Sequence, residues 1–159
     1  MRVLLINGPN LGTLGTREPE IYGHDTLADI VRRVEQRAVA AGVEVVAFQS
    51  NHEGGLIDFI ETEAPLAAGL IINPGALAHG SIALRDAIAA SGLLTVEVHI
   101  SNVFARERFR HRSVISAVCL GLISGLGWRG YVHALDSLVA ALSEAKEPES
   151  IRSLKGEQP

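Results

Sequence analysis

Apolar positions along the chain follow two rhythms. Val3–Ile6, Val43–Phe48, Gly69–Ile72, Leu94–Val98 and Val118–Ile123 are short runs, apolar at nearly every position, the pattern of strands covered on both faces. Leu27–Ala41, Gly55–Glu63, Ser81–Ser91 and Gly130–Ala145 instead place apolar residues at helical spacing, so that one face of each can pack on a sheet. Strands alternating with such helices require right-handed crossovers and predict a three-layer α/β fold. Five strands fit a flavodoxin-like parallel sheet of order 2-1-3-4-5. The 159 residues suit a single domain, expected over residues 1–143. Residues 144–159 are charged and poor in apolar side chains and predict a disordered tail.

Composition narrows the function classes. Hydrophobic residues make up 47% and charged residues 20% of the chain, which excludes disorder as its general state. A mean hydropathy of +0.23 is high for a small monomer and predicts apolar surface shared between subunits. A net charge of −4 argues against general nucleic-acid binding, which needs cationic surface to displace counterions. The single cysteine, Cys119, stands in an apolar run; it predicts a small core residue and a reducing compartment rather than a disulfide framework. The opening Met1–Ile6 segment is too short for a signal peptide, and no apolar run reaches the roughly 20 residues of a membrane helix. A cytoplasmic protein without membrane or nucleic-acid partners is expected.

In a doubly wound sheet, ligands collect beyond the carboxyl ends of the strands, and polar residues gather there. Asn7-Gly8-Pro9-Asn10 follows the first strand and Gln49-Ser50-Asn51-His52-Glu53 the second. Asn73-Pro74-Gly75-Ala76 follows the third and leads to His79, while Glu97-Val98-His99-Ile100-Ser101-Asn102 ends the fourth. Glu97 and His99 are two apart and share a strand face. A carboxylate there orients the ring, favours its charged form and leaves the second nitrogen to donate a proton; a polar pair that merely satisfies itself is the competing reading. Arg17 and Tyr22 lie in a loop punctuated by glycine and proline, Gly12–Gly23. A guanidinium beside a phenol favours its ionised, basic form, and such a loop suits a lid, although an aromatic anchor beside a solvated arginine is the simpler reading of these residues alone. Arg106, Arg108, Arg110 and Arg112 form a basic run. If helical, it puts Arg106 and Arg110 on one face as a receptor for a small anion such as a carboxylate, with Arg108 and Arg112 left to solvent or a subunit contact.

The only lysines are Lys146 and Lys155, in or beside the expected tail, so imine chemistry, which needs an amine desolvated in a pocket, is not expected. His24, His52, His79, His99, His111 and His133 show no pair at metal-ligand spacing, and neither a phosphate-binding nor a dinucleotide-binding glycine pattern occurs. The residues alone therefore predict an α/β domain with a metal-free acid–base site for a small anion. The alternative is a non-catalytic flavodoxin-like binding module.

Six segments, Ile6–Leu11, Leu14–Gly23, Gln49–Gly54, Ile72–Ala76, Ala83–Ala87 and Val96–Asn102, resemble the type II 3-dehydroquinases in order and spacing. The resemblance implies a cofactor-free hydro-lyase that removes water from 3-dehydroquinate by anti elimination through an enolate, in aromatic amino acid biosynthesis by the shikimate pathway or in quinate breakdown. It implies Tyr22, as tyrosinate beside Arg17, as the base, a water on Asn10 stabilising the enolate, and His99, oriented by Glu97, as the acid. It implies that Asn73, His79 and the amides of Ile100 and Ser101 hold the carboxylate and ring hydroxyls, that Arg110 binds a ring hydroxyl, and that Arg106 closes from the lid side. Asp86 would reach a neighbouring subunit's site in a dodecamer built as a tetramer of trimers. Gly12, Thr13, Leu77, Ala78 and Gly80 depart from the family's usual residues, and Gly12 is expected to give the first loop extra backbone freedom.

Overall fold

A computed structural model describes residues 1–16 and 24–145. Strands β1 (Arg2–Asn7), β2 (Glu44–Gln49), β3 (Gly69–Asn73), β4 (Leu94–His99) and β5 (Gly121–Ser124) form one sheet in the order β2-β1-β3-β4-β5. Every neighbouring pair is parallel. Among the described residues the helices are α1 (Leu27–Ala40), α2 (Glu53–Glu63), α3 (Ile82–Ser91) and α4 (Arg129–Glu144). This is the flavodoxin-like three-layer architecture that the hydrophobic pattern predicts. Helix α1 starts at a reciprocal cap, in which Thr26 Oγ accepts from Asp29 N at 3.1 Å and the Asp29 carboxylate accepts from Thr26 N at 3.0 Å.

Strand alternation sorts the core into two layers. Val3 and Leu5 of β1 pack with Ile71, Val96 and Val98 against Ile30 and Val34 of α1 and Leu135 and Leu138 of α4. Leu4 and Ile6 pack with Leu70 and Ile72 against Leu56 and Ile60 of α2 and Leu84 and Ile88 of α3. Burying each such side chain contributes about 1.5–3 kcal/mol, so a slip of one residue in register would forfeit both layers at once. Cys119 is half-buried; burial first, and then the charge of Glu97, pushes its thiol up to about 12, which leaves it an unreactive packing residue.

Some expectations change. The fifth strand, expected at Val118–Ile123, occupies Gly121–Ser124. Ser116–Val118 form a 3-10 turn whose Ser116 hydroxyl is tied to Glu97, and Leu120 N donates to Thr95 O at 2.7 Å just before the strand begins. The basic run is not one helix. Val103–Ala105 and Arg108–Arg110 are single 3-10 turns, separated by extended backbone at Arg106 (φ −109°, ψ −165°) and Glu107 (φ −62°, ψ 141°). The Gly12–Gly23 loop begins within a 3-10 turn at Leu11–Thr13, and residues 17–23 lie outside the described residues. Of the expected tail, Glu144 closes α4, while residues 146–159 lie outside the described residues.

At the carboxyl edge of the sheet, the loops after β1 and β3 touch backbone to backbone. Gly8 N donates to Asn73 O at 2.8 Å, and a Cβ on Gly8 would stand 2.5 Å from Pro74 O. Gly75, at φ +57°, returns the contact, since a Cβ there would come within 3.1 Å of Pro9 O. The crossing has no room for a methyl group at Gly8. Gly8→Ala is expected to cost about 2 kcal/mol and to lower Tm by roughly 4–8 °C, measured by calorimetry. An unchanged Tm would show that the two loops do not need this approach.

Candidate active site

The carboxyl ends of β1, β3 and β4, with the loops that follow them, enclose a cavity. Asn10, Asn73, His79, His99, Ile100, Ser101, Arg106 and Arg110 all line it. Glu97 stands behind His99 with no exposure to solvent. Asp86 is elsewhere: on α3 its side chain is exposed and paired with Arg85 at 3.0 Å. Arg17 and Tyr22 lie outside the described residues.

Glu97 and His99 meet on one face of β4, with His99 Nε2 at 2.7 Å from Glu97 Oε1. An ionised carboxylate only accepts, so Nε2 carries the hydrogen and Nδ1 is the nitrogen left for a ligand. Ser113 Oγ lies 2.9 and 3.0 Å from the two carboxylate oxygens, and Ser116 Oγ donates to Oε2. Burial is the largest influence on Glu97 and favours its neutral form. The hydrogen bonds from His99, Ser116 and Ser113, together with attraction to His99, outweigh it and hold the carboxyl below its ordinary range. Sequence reading misses both serines. The spacing Ser113-Val114-Ile115-Ser116 gathers two hydroxyls at a turn, but only the fold brings that turn against β4.

His79 is fixed in the same way. Its Nδ1 lies 2.8 Å from Arg112 O, and because a carbonyl only accepts, the hydrogen sits on Nδ1 and Nε2 is left for a ligand. The rings of His79 and His99 are 6.4 Å apart and inclined by 14°. Arg106 and Arg110 share a carboxylate rather than a helix face: Glu107 Oε2 is 2.8 Å from Arg110 Nε and 3.7 Å from Arg106 Nε. Hydrogen bonds from its own backbone amide, and then from Arg110, hold the Glu107 carboxyl below its ordinary range. Arg106 also donates to Ser101 Oγ at 3.3 Å. Two cations that would repel one another are thereby kept at the same wall of the cavity.

Asn10 takes a left-handed conformation (φ 67°), and its amide donates to Asn51 Oδ1 at 3.0 Å, an oxygen that also accepts from Gln49 Nε2 at 3.0 Å. Gly12 sits in the turn that follows, where a Cβ would come 3.2 Å from Gln49 Oε1. Gly12 is itself exposed, and the atom nearest such a Cβ is the end of a flexible side chain. Asn73 is buried, its Nδ2 donating to Tyr131 OH at 2.7 Å and its Oδ1 accepting from Gly75 N at 3.1 Å. Tyr131 of α4, a further residue that sequence reading misses, donates in turn to Asn7 Oδ1 at 2.9 Å. Among the described residues, no group of three or more His, Cys, Asp or Glu is placed to hold a metal ion, and no helix is long and apolar enough to cross a membrane. The site can hold a small oxygen-rich anion and exchange a proton with it through the carboxylate-held imidazole.

The family model "Dehydroquinase class II" matches residues 1–139. The 3-dehydroquinate dehydratase of Halothermothrix orenii is 56% identical over 138 residues, which cover 87% of this chain and 93% of that protein. Its counterpart from Dinoroseobacter shibae is 54% identical over 145 residues, covering 91% of this chain and 97% of the relative. The crystal structure of type II dehydroquinase from Butyrivibrio crossotus superposes with a TM-score of 0.85 at 46% identity, covering 87% of this chain and 97% of that one. With relatives more than half identical along nearly their whole length, the chain belongs to the class II dehydroquinase family.

Proposed function

We propose that this protein is a 3-dehydroquinate dehydratase, a hydro-lyase that takes water out of 3-dehydroquinate by anti elimination to give 3-dehydroshikimate. The observation that supports this most is the state of His99. Its Nε2 is committed to a buried carboxylate, and its Nδ1 is left for a cavity whose amide, imidazole and guanidinium groups suit a small carboxylate bearing ring hydroxyls.

The proton on C2 lies next to a ketone, so its removal places charge on an enolate oxygen, where preorganised polar groups can stabilise it. Tyr22, ionised beside Arg17, takes that proton, and a water held by Asn10 stabilises the enolate. The enolate electrons then form the C1–C2 double bond while the C1 hydroxyl leaves with a proton from His99, which Glu97 keeps oriented. Tyr22 has gained one proton and His99 has lost one; exchange with solvent resets both, and the balance is one substrate to one product and one water. Asn73, His79 and the amides of Ile100 and Ser101 hold the carboxylate and ring hydroxyls. Arg110 binds a ring hydroxyl, and Arg106 closes over the substrate. No cofactor takes part.

Asp86, exposed on α3, acts at a neighbouring subunit's site in a dodecamer made as a tetramer of trimers. Exposed Phe104, Phe109 and Leu122 supply apolar surface for such contacts. Residues 1–143 form one catalytic domain of a cytoplasmic enzyme serving the shikimate pathway or quinate breakdown.

Formation of the conjugated enone product is followed by its ultraviolet absorbance. Wild type is expected to convert 3-dehydroquinate, and Tyr22→Phe to bind it yet turn over about 10³-fold more slowly. A variant as fast as wild type would reject Tyr22 as the base. The folded-state pKa of Glu97 lies below the ordinary 4.5. Its stabilising contribution is therefore fully present above that ordinary value and is lost as pH falls through the lower, folded one. Glu97→Gln is expected to cost about 3 kcal/mol at neutral pH, with the two proteins converging in stability as pH drops below 4.5. Denaturant titrations across this range check it; a gap that stays constant on acidification would count against an ionised Glu97.

A further inference from the structure

Asn73 and the phenol behind it form a hydrogen-bond relay whose direction can be assigned from one end. Gly75 N is a backbone donor, so the atom of Asn73 facing it at 3.1 Å is the carbonyl Oδ1. Nδ2 then faces Tyr131 OH at 2.7 Å, and because Nδ2 can only donate, the phenol oxygen accepts. The one phenol hydrogen is left for Asn7 Oδ1 at 2.9 Å. The relay ends on Asn7 Nδ2, a buried donor with no hydrogen-bond partner among the described residues. Tyr131 is fully buried, and burial raises its pKa far above the ordinary range despite the opposing hydrogen bond from Asn73, so the hydroxyl keeps its hydrogen and the relay keeps its direction. Turning the Asn73 amide over would set its NH₂ against the Gly75 N–H.

We infer that Tyr131, which does not line the cavity, is a positioning residue for substrate binding: with the Gly75 N–H setting the direction of the Asn73 amide, Tyr131 anchors its Nδ2 so that the cavity meets an N–H of that amide. Nδ2 carries two hydrogens; one is bonded to Tyr131, and the other is the donor Asn73 has left for a ligand in the cavity it lines. The site is thereby committed to a ligand group that accepts there, a carboxylate or hydroxyl oxygen. A site built to hydrogen-bond a substrate oxygen discriminates strongly against analogues that lack it. This inference rests on the proposed contact between Asn73 and substrate. It goes beyond it by assigning the orientation of that contact to a side chain in the opposite helix layer from Glu97.

Steady-state kinetics on Tyr131→Phe, Asn73→Ala and the double variant test this. Tyr131→Phe is expected to raise KM about tenfold while kcat stays within about threefold of wild type, the signature of lost uniform binding. The double variant is expected to match the KM of Asn73→Ala alone, because the phenol acts only through that amide. A raised KM in Asn73→Ala beside an unaltered KM in Tyr131→Phe would overturn this inference alone, as would KM effects that multiply in the double variant. An unchanged KM in Asn73→Ala would overturn the placement of Asn73 on the substrate and this inference with it. If Tyr131→Phe does not yield folded protein, Asn7→Ala removes the acceptor that directs the phenol hydrogen. It is expected to raise KM about threefold, and an unchanged KM would again overturn the relay.

Discussion

The site proposed for this molecule is built on a carboxylate kept out of water. Glu97 lies inside the sheet, in register with Ile72 on one neighbouring strand and Leu122 on the other, and has no solvent exposure. Desolvating such a charge is unfavourable by several kcal/mol unless donors replace the lost water. Three side chains do so: His99 from the same strand, and Ser113 and Ser116 from the segment that precedes β5. The arrangement shapes the fold around it. Because Ser113 also accepts from the amides of Ile115 and Ser116, at 3.2 Å each, the chain must turn there before it can enter the sheet, and β5 is short as a result. An irregularity that looks like an incomplete strand is the means by which a buried charge is satisfied.

Much of the architecture is legible in the sequence because the central strands are covered on both faces, so each is an apolar run with polar residues only at its carboxyl end. Those polar ends, from Asn7, Asn73 and Glu97 onward, also locate the cavity. Legibility fails where an apolar residue is buried for another reason. Val118 and Cys119 pack on the α2–α3 layer and extend the apparent fifth strand by residues that never join the sheet. It fails again where position is set by a distant charge. The pairing of Arg106 with Arg110 is visible as a spacing of four, yet the cause is Glu107 between two tight turns, not a helical repeat. Hydroxyls are the least legible of all. Ser113, Ser116 and Tyr131 acquire meaning only from partners far away in the chain, and nothing local in their surroundings marks them.

The pleat of the sheet divides the site's polar groups between the two helix layers, and the cavity is where the layers meet. On β4, Val96 and Val98 face α1 and α4, so Glu97 and His99 face the other way, towards the turn that carries the serines. On β1 and β3, the rows that hold Val3, Leu5 and Ile71 continue into Asn7 and Asn73, which therefore face α4 and meet Tyr131. His99, the proposed proton donor, is thus fixed by one layer and Asn73, the proposed binding amide, by the opposite one, with the hydrogen-bonded sheet setting the distance between them. Loops alone could not hold such a spacing to the fraction of an ångström that proton transfer demands. The backbone crossing of Gly8 over Pro74 completes the constraint. It ties the end of β1 to the end of β3, so that Asn10 on the first loop cannot drift from Asn73 beside it. The geometry of the cavity is a property of strand register, and residues that look most like packing, two glycines and a buried tyrosine, hold the groups that line it.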